Sequence, residues 1–359
     1  MSNIQTQTKS IGYFRLLRVL GCIGIVILHT YYVYAYNFEA TFAQKVASYA
    51  IRNLQMWAVP CFVMVSGALL LEPERPMTIK KIYSRYMLRA LLALLIFSIV
   101  FYLFDAVLNG QKLRLMDLYI WFMQTWTDKG WTHMWYLYML VALYAMLPLY
   151  RKVSEHASDQ EIRYLLIIYA VFQILISNLN TVFNIRSGFY IGVYTIYPFY
   201  FFLGYALHKE IIRIPRMLAA VFTVLGVILI GFLTWYHMNY DVAWIQSLLG
   251  NYSFLVIVLL SVGIFTLIKG TEEKATDGTA SGGKEVKKQS ALVRLIDENS
   301  FGIYLVHMMF LKIGAFVIKF NPYPAGGIWT LLGITLIVFL LSLGLTWVLR
   351  KIPGMKRVL

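Results

Sequence analysis

Residues 13–36, YFRLLRVLGCIGIVILHTYYVYAY, form an almost wholly apolar run interrupted by Arg18 and, eleven residues later, by His29. About two dozen residues rising about 1.5 Å each reach across a bilayer, so the run reads as a first membrane-spanning helix. Arg18 falls near its entrance and His29 roughly 16 Å further along, past the midplane. An ionisable side chain at that depth is costly and marks function. The pair suggests a long anionic molecule gripped at one face, with chemistry or transport at a histidine deeper in.

The rest of the chain extends this reading. Hydrophobic residues make up 60% of it and charged residues 14%, with a mean hydropathy of +0.66. A soluble domain carries roughly a quarter charged residues, so the fold class is all-α and polytopic. The formal charge of +15 is gathered at the ends of apolar segments. That is the pattern of topology signals beside anionic lipid, and it argues against nucleic acid as a partner. Cys22 and Cys61 lie inside apolar spans and read as small hydrophobes, so neither a disulfide framework nor a metal site is expected. The opening MSNIQTQTKS is polar and short, and the first span is too long for a cleavable signal.

Periodicity and length give about ten spans: approximately 13–36, 46–71, 84–108, 133–150, 161–180, 193–208, 216–238, 247–268, 299–319 and 326–349. Alternate connections are rich in Lys and Arg: residues 75–89, Arg151 and Lys152, residues 209–216, the 269–294 loop and residues 350–357. The opposite connections carry only Lys45, Arg52, Lys112, Arg114, Lys129, Arg186 and Lys319. By the positive-inside rule both termini are cytoplasmic. The chain reads as one integral membrane domain over 1–359, in which 270–290, GTEEKATDGTASGGKEVKKQS, is a flexible cytoplasmic linker without chemistry. Residues 109–132 mix Leu, Tyr and Trp with polar side chains and read as an amphipathic helix in the outer interface, where a substrate could also shelter.

Four further constellations join Arg18 and His29. The second span ends with Ser66 and Gly67; such small residues usually let membrane helices approach. His133 opens a span on the outer side, in THMWYLYMLVALYAMLP, where simple solvation would also explain it. The run SGFYIGVYTIYPFYFFLGY, 187–205, reads mainly as aromatic packing and interface belt. SFGIYLVH, 300–307, sets His307 near mid-depth, where a structural role is harder to find.

Together these blocks resemble the membrane acyltransferase 3 family. The carriers are FRLLRVLGCIGIVILH with Arg18 and His29, the serine-glycine pair, His133 with Trp135, and SFGIYLVH with Tyr304 and His307. In arrangement the chain is most similar to the stand-alone enterobacterial common antigen O-acetyltransferase type. The resemblance implies a multi-pass protein of the bacterial cytoplasmic membrane that moves an acyl group, usually acetyl from acetyl-CoA, onto a hydroxyl of a surface glycan or its lipid-linked precursor. The family often shows two arginines three apart after the second span, whereas Arg85 and Arg89 here are four apart. An appended hydrolase-like domain of some members is not seen. On this reading Arg18, Arg85 and Arg89 hold the phosphates of coenzyme A through charge-assisted bonds. The pantetheine arm, of the order of the roughly 16 Å between Arg18 and His29, brings the thioester to the histidine. His29, His307 and His133 are the catalytic candidates, with His29 as general base, and Ser66, Trp135 and Tyr304 support them. Acyl-CoA is a substrate rather than a resident cofactor. The competing reading is a secondary transporter or glycan exporter with a histidine proton relay; such proteins usually show internal repeats and broken spans, whereas Pro60 and Pro198 are the only prolines away from the ends of these spans.

Overall fold

The computed structural model describes residues 12–188, 195–280 and 290–359. They form helices and connecting turns, with no strand among the described residues. This is what lipid requires, because a helix satisfies every backbone polar group within its own segment.

Eight helical segments are long and apolar enough to cross a bilayer. They are α1 (Gly12–Asn37), the pair α2 (Phe42–Leu54) and α3 (Ala58–Leu70), α4 (Ile79–Leu108), and, after the short α5 (Leu115–Trp126), α6 (Thr132–His156) and α7 (Asp159–Phe183). Beyond α8 (Tyr197–His208) come α9 (Arg216–Tyr240), α10 (Ala243–Leu249) and α11 (Leu255–Ala280), then α12 (Ala291–Val317), α13 (Ile328–Leu349) and the terminal turn α14 (Met355–Val358). α8 and the apolar part of α11, Leu255–Thr271, are shorter than the others. The expected segments are thus present in order, eight of them at full length. Of the expected linker, 270–280 continues α11, and 281–289 lie outside the described residues, as do 189–194 of the aromatic run.

Large apolar side chains stay exposed along α4, α7, α9 and α13, including Leu95, Ile167, Ile228 and Leu340. In a membrane that surface faces lipid tails. Lipid removes the hydrophobic drive between helices, so association rests on close packing. The crossing of α3 with α8 shows how. A Cβ on Gly67 would lie 1.8 Å from the Phe201 carbonyl oxygen, and one on Gly204 would lie 2.0 Å from that of Met64. The two backbones touch, and only glycine fits. Arg151 on α6, 3% exposed, then caps α3 from below, its guanidinium donating to the carbonyls of Leu70, Glu72 and Arg75. A charge legible only as a topology signal is also a helix stop.

The second span departs from expectation. Instead of one helix over 46–71, the chain breaks at Gln55–Trp57 and restarts as α3 with Pro60 in the first turn, where its missing N–H costs little. The break lies against α1: a Cβ on Gly24 would meet the Gln55 Oε1 at 3.1 Å. It also moves Arg52 from the far-side connections, where the sequence groups it, into the depth of the protein.

Candidate active site

α1 and α12 pack side by side and are joined at two levels. At the first, Arg18 grips Asp297 with two bonds, Nε to Oδ1 at 2.6 Å and a terminal nitrogen to Oδ2 at 2.9 Å, and Arg15 adds a third at 3.3 Å. At the second, about three turns further on, His29 Nδ1 stands 3.0 Å from His307 Nε2. The pairs Arg18/His29 and Asp297/His307 are spaced by 11 and 10 residues on two helices that run in the same direction, so one pair fixes the register of the other.

His133, from the start of α6, completes a cluster of imidazoles. Its ring centroid is 5.6 Å from that of His307 and 6.4 Å from that of His29. The structure therefore brings together all the histidines that the sequence singles out. Their bonding assigns the tautomers. His307 Nδ1 donates to the Ile303 carbonyl at 3.2 Å, which leaves Nε2 as the acceptor of the His29 Nδ1–H. His29 Nε2 then carries a free lone pair. His133 Nε2 donates to the Leu305 carbonyl at 3.3 Å, and its buried Nδ1 has no partner among the described residues. The Tyr304 hydroxyl, one turn before His307, donates to the His133 carbonyl and fixes the start of α6 against α12.

Two cavities flank this level, and histidines of the cluster line the second of them. One, of about 410 Å³, runs from the end that holds Arg18 and is lined by Arg89, Arg350 and Lys356, with Asp297 and Glu298 as its acids. It ends among Ile25, Tyr136 and Tyr304. The other, of about 840 Å³, holds His29, His133 and Trp135 on its wall, with Tyr252 and the 250–253 turn beyond. They meet α1 one turn apart, at Ile25 and at His29. A third cavity, of about 1190 Å³, lies under α5 and shares Thr132 and Met308 with the second. α5 is the expected amphipathic helix, with Leu115, Phe122 and Trp126 exposed. Asp117 fixes its start: the Arg114 backbone N–H and then the Tyr102 hydroxyl hold that carboxyl below the usual range.

The remaining sequence candidates separate. Arg89 lines the first cavity and donates to the carbonyls of Val358 and Leu359. Arg85 is exposed and does not line that cavity. It sits in a π-helical turn, Ile82–Met87, and such a turn takes one more residue than an α turn. Ser66 lines the first cavity with its hydroxyl bonded back to the Phe62 carbonyl at 2.9 Å, while Gly67 serves packing. Trp135 lines the second between Tyr197 and Tyr252, each 5.7 Å away by centroid. Sequence reasoning missed Asp297, although an acid ten residues before His307 in DENSFGIYLVH mirrors Arg18 before His29. It read Arg350 and Lys356 only as topology charges. Among the described residues no group of His, Cys, Asp and Glu is arranged to hold a metal ion.

The sequence model of the acyltransferase domain family matches residues 11–351, nearly the whole chain. The chain belongs to the acyltransferase 3 family. That match takes in α1 to α13, every histidine of the cluster and the Arg18–Asp297 pair, so the acyltransferase family and the multi-pass membrane architecture are features of the same segment. No curated protein and no solved structure matches the chain.

Proposed function

We propose that this membrane acyltransferase moves acetyl from acetyl-CoA, entering through the Arg18 cavity, onto a sugar hydroxyl that enters through the His29 cavity. The observation that carries this reading is the approach of two cavities to one helix, one turn apart, with the His29 imidazole on the wall of the second. A basic entrance suits a polyphosphate, and a cavity of about 410 Å³ falls in the range of small-molecule sites. His29 Nε2 takes the hydroxyl proton as the sugar oxygen attacks the thioester carbonyl carbon. The C–S bond breaks, an ester forms, and the proton passes from the imidazolium to the departing thiolate of coenzyme A. His307 holds His29 in the tautomer this needs and stabilises the imidazolium, much as an acid orients the base of a hydrolase triad. Such general-base assistance is typically worth about 10² to 10⁴ in rate. Basic flanks place the donor side in the cytoplasm, and the acceptor is then a surface glycan or its lipid-linked precursor at the bacterial inner membrane, as in the stand-alone O-acetyltransferases that the motif order resembles.

The broken second span favours one other reading, transport, because unwound spans at mid-depth are a transporter device. One experiment separates the two. Purified protein incubated with acetyl-CoA and candidate glycans should consume the thioester and add one acetyl mass to the glycan. An intact thioester pool with glycan still carried into proteoliposomes would establish transport instead.

A further inference from the structure

Among the described residues Arg52 is a cation without a counter-anion. It lies ten residues into α2, roughly 15 Å along the helix, and it lines the same cavity as His29. In the other two cavities at least one basic group has an acid opposite it: Arg18 has Asp297, and Lys312 has Asp105 at 2.6 Å. Among the described residues Arg52 has no ion pair, and no acidic residue lines its cavity. One terminal nitrogen donates to the Asn53 side-chain oxygen, and Asn53 is itself fixed by a 3.0 Å bond to Thr234 on α9. The guanidinium stands 5.5 Å over the Tyr32 ring, while its Nε is buried with no partner. An oriented, unpaired arginine at this depth is expensive in a membrane protein and marks a ligand. The neutral lining around it, Ser177, Asn251, Ser253 and Tyr197, suits sugar hydroxyls.

We infer that Arg52 is the anion-binding residue of the acceptor site, so that the molecule acylated at His29 carries a phosphate or a carboxylate. The planar guanidinium takes either group through paired N–H donors. This rests on the acyl-transfer reading for the identity of the cavity as an acceptor site, and it adds the charge class of the acceptor.

The test is equilibrium binding to the purified full chain of glucose, glucuronate and glucose 6-phosphate, followed by tryptophan fluorescence, since Trp135 lines the cavity. At least one anionic sugar should bind about tenfold or more tighter than glucose, a difference near 1.4 kcal/mol. Arg52→Gln should erase that preference, Arg52→Lys should keep part of it, and acetyl-CoA affinity should be the same in all of them. Preference for the phosphate points to a lipid-linked sugar phosphate, and preference for the carboxylate to a uronic acid. Equal binding of charged and neutral sugars, no binding of either anion at millimolar concentration, or a preference that survives Arg52→Gln overturns the inference. Anion preference in a protein that never consumes acetyl-CoA would sink the acyl-transfer reading and leave the anion site standing. Transfer that is fastest to neutral glycans would do the reverse.

Discussion

At the residue scale, the site depends on pairs rather than on single groups. His29 holds a defined tautomer because His307 accepts its Nδ1–H, and Arg18 is fixed by two bonds to the one carboxylate of Asp297. Donor affinity should therefore divide the arginines. Arg18→Ala and Arg89→Ala should each weaken acetyl-CoA binding about tenfold or more, since a charge-assisted bond is worth about 1.5–3 kcal/mol. Arg85→Ala, altering an exposed side chain outside the cavity, should leave it unchanged. Titration of acetyl-CoA into the three variants checks this, and an Arg85 effect equal to that of Arg18 would contradict the cavity assignment. Arg18 and the histidines were legible in the sequence because an ionisable side chain in an apolar run is conspicuous there. Asp297 and Arg52 were not. Their meaning lies in what faces them across 279 residues for Asp297 and Arg18, and, among the described residues, in the absence of an acid from the cavity lining for Arg52.

At the scale of elements, hydropathy gave the order of the segments, because lipid punishes any other backbone arrangement, while of the roughly ten expected spans eight are long and apolar enough to cross. The break at Gln55–Trp57 escaped it, since those residues include neither glycine nor proline. The one available signal was Pro60, read as interior when it opens a new helix. Close packing was half legible: Gly67 suggested a helix contact, but its partner Gly204 is 137 residues away. Gly67→Ala should force α3 from α8 and cost about 1–3 kcal/mol, the range for overpacking. Gly231→Ala, with no atom within 4 Å of the new Cβ, should be neutral or slightly stabilising. Thermal unfolding in detergent distinguishes them, and equal midpoints would show that the α3–α8 contact is not tight.

For the whole molecule, acyl transfer as proposed requires the basic entrance of one cavity to face the cytoplasm and α5 to face outside. Cys22 and Cys61 are buried, so an impermeant thiol reagent applied to whole cells should label Lys129→Cys and spare Arg213→Cys. The opposite pattern would put donor and acceptor on the wrong sides. What unites the two sides is His29, where the cavities come within one helical turn of each other. The most direct measurement is acyl transfer by His29→Ala with acetyl-CoA affinity determined on the same folded sample. Transfer should fall at least about a hundredfold, the low end for general-base catalysis, while the affinity stays that of the wild type. Near-normal transfer by this variant would contradict the account.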